Sequence, residues 1–319
     1  CWYHFAYFLP DGWLKASSQY CWLGVEAFFV VSGFVIPWSL QRGGYLPRHY
    51  GRFIPKRIVR LDPPYVLSIA LVLVLAYLST FSHLYRGKPF LIDWAQVALH
   101  LGYLNVFFPD KPWLNTVYPT LAVEFEYYLL MGLLYPLLAH RFAWVRRSTL
   151  AFFVLSCLVL PYHKHLPHYA PLFALGIIAY QLKCGTMGTR EGTVTVLLVS
   201  LVALVGSDPL HVPVGLSSLA VILWVSKCSP VIAFFGTISY SVYLLHVPLG
   251  SRVISLGSHW AHTFWAKVGV IAAAFAVTIV GAYLFYRLVE RPSQLLSRRI
   301  KYRLLPEQSP RPHRSPTVT

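Results

Sequence analysis

Acidic side chains are scarce in this sequence. Only 11 Asp and Glu occur in 319 residues, against 27 Lys and Arg. Charged residues of every kind amount to 12%, where a soluble domain carries about 25%. With 56% of the chain hydrophobic, too little charge remains for the solvated shell of an ordinary globular protein. Strict alternation of apolar and polar residues is also missing, which argues against a transmembrane β-barrel. The five cysteines, Cys1, Cys21, Cys157, Cys184 and Cys228, show neither metal-ligand spacing nor a disulfide framework, so they read as ordinary buried thiols. No internal repeat stands out, which weakens a repeat-built transporter.

What is present is a series of long apolar blocks, including 66–80, 121–139, 197–206 and 268–285. A helix needs roughly 20 residues to cross a hydrocarbon core. The expected fold is therefore all-α, a polytopic transmembrane helix bundle. The spans read as the end of one helix up to Pro10, then 22–40, 64–82, 118–139, 150–162, 169–183, 194–206, 211–226, 234–253 and 264–288. The segment 90–108 is ambiguous, because it carries Asp93, Gln96, His100 and Asn105, which are costly against lipid. Reading it as re-entrant or interfacial leaves about ten spans. It also places most Lys and Arg, and the tail, on one side, as the positive-inside rule asks of cytosolic loops. Basic residues set between apolar blocks in this way argue against nucleic acid as a partner. The chain opens at Cys1, with helix-like sequence already under way at Trp2–His4, so an N-terminal segment is expected to precede it.

Ionisable residues within spans are the candidates for chemistry, because their burial is costly. His4 lies about six residues before the break at Pro10–Gly12, roughly 10 Å into its helix. A histidine can take a proton from a hydroxyl near neutral pH, or simply pack against a backbone carbonyl. Glu26 falls at a comparable depth in the next helix, and Glu124 in a later one with Tyr127 and Tyr128 on its face; Glu126 points away. Each carboxyl is open to a structural role as well. Ser239, Tyr243 and His246 share one helical face, either as interhelical glue or as part of a site. Arg57 and Arg60, three apart at an inner helix end, suit phosphate recognition. They equally suit lipid headgroups and topology.

These segments also carry a resemblance. Trp22–Glu26 with Phe28–Phe34, Arg57–Pro64, Leu121–Glu124 with Tyr128, Ser239–His246 and Glu290–Pro292 together resemble the acyltransferase 3 family of membrane acyltransferases, across nearly the whole chain. The resemblance implies an enzyme of about ten transmembrane helices that moves acetyl or another acyl group from acyl-coenzyme A. The implied acceptor is a hydroxyl of a glycan or a glycosylated small molecule. In the family an essential His follows an Arg by about eleven positions; His4 matches the His, and the Arg would precede Cys1. Arg57 and Arg60 match the family's coenzyme-linked Arg-x-x-Arg. Two departures are visible: Pro119 stands where a Trp is usual, and Phe125–Tyr127 replaces Glu-Gln-Phe.

The expected mechanism uses His4 as base, with Glu26 or Glu124 orienting its ring, or else passes through a covalent acyl-His intermediate, between which the sequence does not choose. Tyr243 supplies a hydrogen bond to the oxyanion, and His246 lies on the same stripe. Arg57 and Arg60 hold acyl-CoA, and no metal is expected. The expected domains are a membrane acyltransferase domain, 1–292, and a basic, Pro-rich cytosolic tail, 293–319, disordered at its end. The expected location is a bacterial inner or plasma membrane. A transporter or flippase with an intramembrane His/Glu path, and an inactive homologue, are the alternatives left open.

Overall fold

A computed structural model describes residues 1–81, 91–160 and 165–302. Phe90, Tyr162 and residues 303–319, which belong to expectations made above, lie outside the described residues. Every regular element among the described residues is helical. In chain order these are α1 (Trp2–Phe5), α2 (Trp13–Ala16), α3 (Gly24–Arg42), α4 (Tyr50–Ser79), α5 (Trp94–Leu101), α6 (Tyr118–Leu138) and α7 (Ala143–Val159). There follow α8 (Leu166–Lys183), α9 (Thr189–Gly206), α10 (His211–Trp224), α11 (Pro230–Leu245), α12 (Ser251–Gly257), α13 (Phe264–Phe285) and α14 (Arg291–Arg299). Two π-helical turns, His246–Gly250 and Tyr286–Glu290, join α11 to α12 and α13 to α14.

Among the described residues six helical stretches are long and apolar enough to cross a membrane: Trp13–Arg42, Pro47–Ser79, Tyr118–Leu138, Thr189–Gly206, Pro230–Gly257 and Phe264–Arg299. This is fewer than the ten spans read from the sequence, and the reasons are local. α1 is a single turn that passes into a 3-10 turn. α7 has 17 residues and opens with Arg146 and Arg147 in its first turns. α10 has only 14 residues. α8 contains Pro167, His168, Pro171, Gln181 and Lys183, and is enclosed by other helices along nearly its whole length.

α8 is the axis of the bundle. Its residues Ala170–Gln181 are all buried, and α3 crosses it at backbone contact. A Cβ on Gly176 would sit 2.1 Å from the Val30 carbonyl oxygen, and one on Gly33 would sit 2.2 Å from that of Phe173. Small residues at a helix crossing are the usual device for packing in lipid, where apolar burial alone gives no drive. Phe29, Phe173 and Tyr127 stack through this crossing at centroid distances of 5.0 and 4.0 Å.

The basic stretch after α3 is largely helical. α4 starts at Tyr50 and carries Arg52, Lys56, Arg57 and Arg60, running through Pro55, Pro63 and Pro64. Each proline removes a ladder donor, a loss that helices in a membrane bundle tolerate where neighbours re-satisfy the freed groups. Tyr240 of α11 braces this stretch, its hydroxyl donating to the Leu61 carbonyl at 3.0 Å.

The ambiguous segment contains no membrane-length helix among its described residues. Asp93 caps α5 by accepting from the Gln96 amide at 3.1 Å and binds Lys111. Lys111 holds the Asp93 carboxyl below the usual carboxylate range. His100 is buried; its Nδ1–H donates to the Gln96 carbonyl at 2.8 Å and its Nε2 accepts from the Leu114 amide at 3.2 Å. At the far end of the chain, α14 lies along α4, and Tyr302 packs between Tyr45 and His49.

Candidate functional site

Two cavities lie along the chain from α11 through the π-turn into α12. The first, about 300 Å3, opens between α3, α4, α6 and α11. Its polar lining includes Ser32, Arg57, Arg60, Glu124, Ser239 and Tyr243. Glu124 is held by two hydroxyls on one oxygen: Ser32 donates at 2.9 Å, and Tyr128 donates from one turn along α6. The buried Arg57 guanidinium donates to Ser39 at 2.7 Å and lies over the rings of Phe53 and Tyr128 at 5.2 and 5.5 Å. Its Nε has no hydrogen-bond partner among the described residues. Arg60, one turn on, is exposed at the cavity edge. The i, i+3 spacing on α4 thus yields one buried and one exposed cation.

The second cavity, about 660 Å3, is lined by Tyr3, His4, Tyr7, Lys15, Thr116 and Ser251 among others. His4 reaches it from α1, half-buried. Its ring lies 5.2 Å from that of His246. The π-turn makes this meeting, because Pro248 cannot donate to the helix ladder and the turn widens. Gly250 then accepts the Phe5 ring where a Cβ would stand 2.1 Å away. His246 Nδ1 faces the carbonyls of Val242 and Tyr243 at 3.0 and 2.8 Å. A carbonyl only accepts, so Nδ1 carries the proton and Nε2 is the basic nitrogen.

The structure thus brings His4 and His246 together, and separately Arg57, Arg60 and Glu124. Tyr243 stands between the groups, its hydroxyl donating to the Val117 carbonyl at 2.8 Å and touching the Thr120 hydroxyl. Ser239 lines the first cavity too, exposed, with its hydroxyl donating to the Gly236 carbonyl at 2.9 Å. No carboxylate is hydrogen-bonded to His4 or His246 among the described residues. Glu26 faces α10 instead, where His211 Nε2 is 3.5 Å away. Ser207 donates to the His168 carbonyl at 2.7 Å, so the 2.6 Å contact to His211 Nδ1 takes its proton from the imidazole. Nε2 of a neutral His211 is then an acceptor, and it suits a protonated Glu26. Glu126 faces away from both cavities and accepts the Leu166 amide at 2.8 Å, with His165 beside it.

Sequence reasoning missed Ser32, Thr120, Ser241 and His211 as partners of the buried carboxyls and of Tyr243. His211 carried a usable signal, an ionisable group in an apolar stretch. The hydroxyl residues carried none, since Ser and Thr are unexceptional in membrane helices. Glu290, at the end of one matching segment, proves buried, accepting from Ser241 at 2.5 Å and from Gln294 at 2.9 Å. Among the described residues no group of three or more His, Cys, Asp or Glu is placed to hold a metal ion.

Comparison with known proteins adds a family. A model described as an acyltransferase domain matches residues 1–287. A protein of Komagataeibacter xylinus named "Putative membrane-bound transacylase BcsY" is 27% identical over 322 residues, covering 88% of this chain and 77% of its own length. No solved structure matches the chain.

Proposed function

The chain belongs to the acyltransferase 3 family, and from that premise we propose that it moves an acetyl group from acetyl-CoA to a hydroxyl of a glycan or glycosylated metabolite. At the coarser level it is an integral membrane enzyme that transfers an acyl group other than an aminoacyl group. The observation that carries the finer reading is the His4–His246 pair at 5.2 Å beside an open cavity.

In this reading His246, with its Nδ1–H given to backbone carbonyls, offers Nε2, and His4 takes the proton of the acceptor hydroxyl. The hydroxyl oxygen attacks the thioester carbonyl, a C–O bond forms, and the C–S bond breaks. The departing thiolate takes a proton, leaving an ester and free coenzyme. Arg57 and Arg60 meet the donor at the first cavity, which at about 300 Å3 accommodates its acyl end rather than its nucleotide. Glu124 supports that end through Ser32 and Tyr128. Tyr243 would serve the oxyanion only by leaving Val117. Glu26 is a structural carboxyl in this scheme. The wider proposal keeps about ten membrane crossings, a domain over 1–292 and a tail over 293–319. It keeps basic loops in the cytosol and a bacterial inner or plasma membrane. The relative's name, a membrane-bound transacylase, supports the reaction class and is silent on donor and acceptor.

The test is label transfer from radiolabelled acetyl-CoA to glycan in membranes that carry the protein. Label is expected with the parent chain. It should fall by about two to four orders of magnitude in His4→Ala and His246→Ala, the usual worth of a general base. Undiminished label in both variants would remove the imidazole pair from the mechanism.

A further inference from the structure

The two cavities are separated by very little. Thr120 and Tyr243 line the first, while Thr116 and Val247, four residues away on each strand of chain, line the second. The partition itself is a small hydrogen-bonded knot. Tyr243 and Thr120 both donate to the Val117 carbonyl at 2.8 Å, and their hydroxyls touch. Rings continue the line. Phe28, on the wall of the first cavity, lies 6.3 Å from Tyr243. Tyr243 lies 6.1 Å from His246, which lies 5.2 Å from His4. Phe28, Tyr243, His246 and His4 therefore form one aromatic file from the cavity that holds Arg57 to the cavity that holds His4.

We infer that Tyr243, Thr120 and Phe28 form the neck through which the acyl group reaches the imidazole pair, and that this neck sets the largest acyl group accepted. The inference rests on the acyl-CoA reading above. A donor seated against Arg57 and Arg60 is on the wrong side of Tyr243 from His4. Only a slender group can pass a ring pinned by its hydroxyl. Breaking the knot frees the ring about χ1, and removing either ring widens the passage.

Two measurements test this, and one does not depend on activity. In a chain whose native cysteines are replaced by serine, Ser32→Cys reports on the first cavity and Tyr7→Cys on the second. The probe is a small, charged, membrane-impermeant methanethiosulfonate, applied from the side on which Tyr7→Cys reacts. With the neck intact, Ser32→Cys should resist this reagent. It should become reactive, about tenfold faster or more, with Tyr243→Ala and, independently, with the milder pair Thr120→Ala and Tyr243→Phe. Equal reactivity before and after, in both backgrounds, would overturn the neck.

The second measurement is the ratio of kcat/KM for butanoyl-CoA to that for acetyl-CoA. It should rise about tenfold or more in Phe28→Ala and in the Thr120→Ala, Tyr243→Phe pair. An active enzyme with an unmoved ratio would overturn the selectivity role. A parent chain that uses neither thioester would overturn the acyl-CoA reading instead, and the labelling result would still judge the neck.

Discussion

At the scale of single residues, two imidazoles are held in one tautomer by the main chain, with different consequences. His246 gives its Nδ1–H to Val242 and Tyr243 and leaves Nε2 toward His4. His100 gives its Nδ1–H to Gln96 and spends Nε2 on the Leu114 amide, so it has no nitrogen left for a ligand. Burial holds the His100 pKa below its ordinary 6.5, the bond to the Gln96 carbonyl pulling the other way. The neutral form is the one the fold uses. Above 6.5 both folded and unfolded chains leave this ring neutral and its stabilisation is complete. As pH falls below 6.5 the unfolded chain gains a proton first, and stability drains until the lowered folded pKa is passed. Thermal unfolding in detergent between about pH 7.5 and about pH 5 should therefore fall more steeply for the parent than for His100→Gln. Parallel profiles would remove His100 as a source of acid sensitivity. The sequence made His4, Glu26, Glu124 and His246 visible as ionisable residues in apolar runs. It did not reveal that His4 pairs with His246 while Glu26 turns to His211, because partner choice depends on helix rotation about the axis. No periodicity encodes that rotation once a helix is apolar all round.

At the scale of elements, the α3–α8 crossing decides how closely the bundle can pack. Gly176→Ala and Gly236→Ala introduce the same methyl group in two helices. At Gly176 it meets a carbonyl oxygen at 2.1 Å, and at Gly236 it meets nothing within 4 Å. The first should cost about 1–3 kcal/mol by forcing backbones apart. The second should be neutral or stabilising by up to about 1 kcal/mol, from helix propensity. Melting temperatures by size-exclusion after heating would compare them, and equal shifts would contradict the backbone contact. Helix existence was largely legible from apolar runs, as α6, α9 and α13 illustrate. α4 was read too short because Pro55, Pro63 and Pro64 look like breaks, whereas the bundle absorbs them. Six stretches among the described residues meet a membrane-length criterion against the ten spans read, because α7, α8 and α10 are apolar enough to be noticed, yet too short or too polar to meet it.

At the scale of the whole molecule, the chain is closed on itself. Arg52 donates to the Tyr302 carbonyl and Lys56 to the Ile300 carbonyl, at 3.0 and 2.9 Å, across 250 and 244 residues. The Tyr302 ring is 5% exposed, and a Cβ on Gly43 would meet it at 2.7 Å. Tyr302→Ala should lower stability by about 3 kcal/mol, the usual worth of a large buried ring, while Tyr302→Phe should keep most of it. Loss in neither would mean that this closure is ornamental. A tail following Glu290 reads in the sequence only as basic and Pro-rich; that α14 runs to Arg299 along α4 depends on contacts made from the other end of the chain. The closure also has a meaning in time. A ribosome releases Tyr45, His49 and Lys56 long before Tyr302, so these residues wait through the synthesis of almost every other helix with their partner unmade. The last described residues thus act as a seal, and a chain interrupted just short of them would carry every membrane-length helix among the described residues without it.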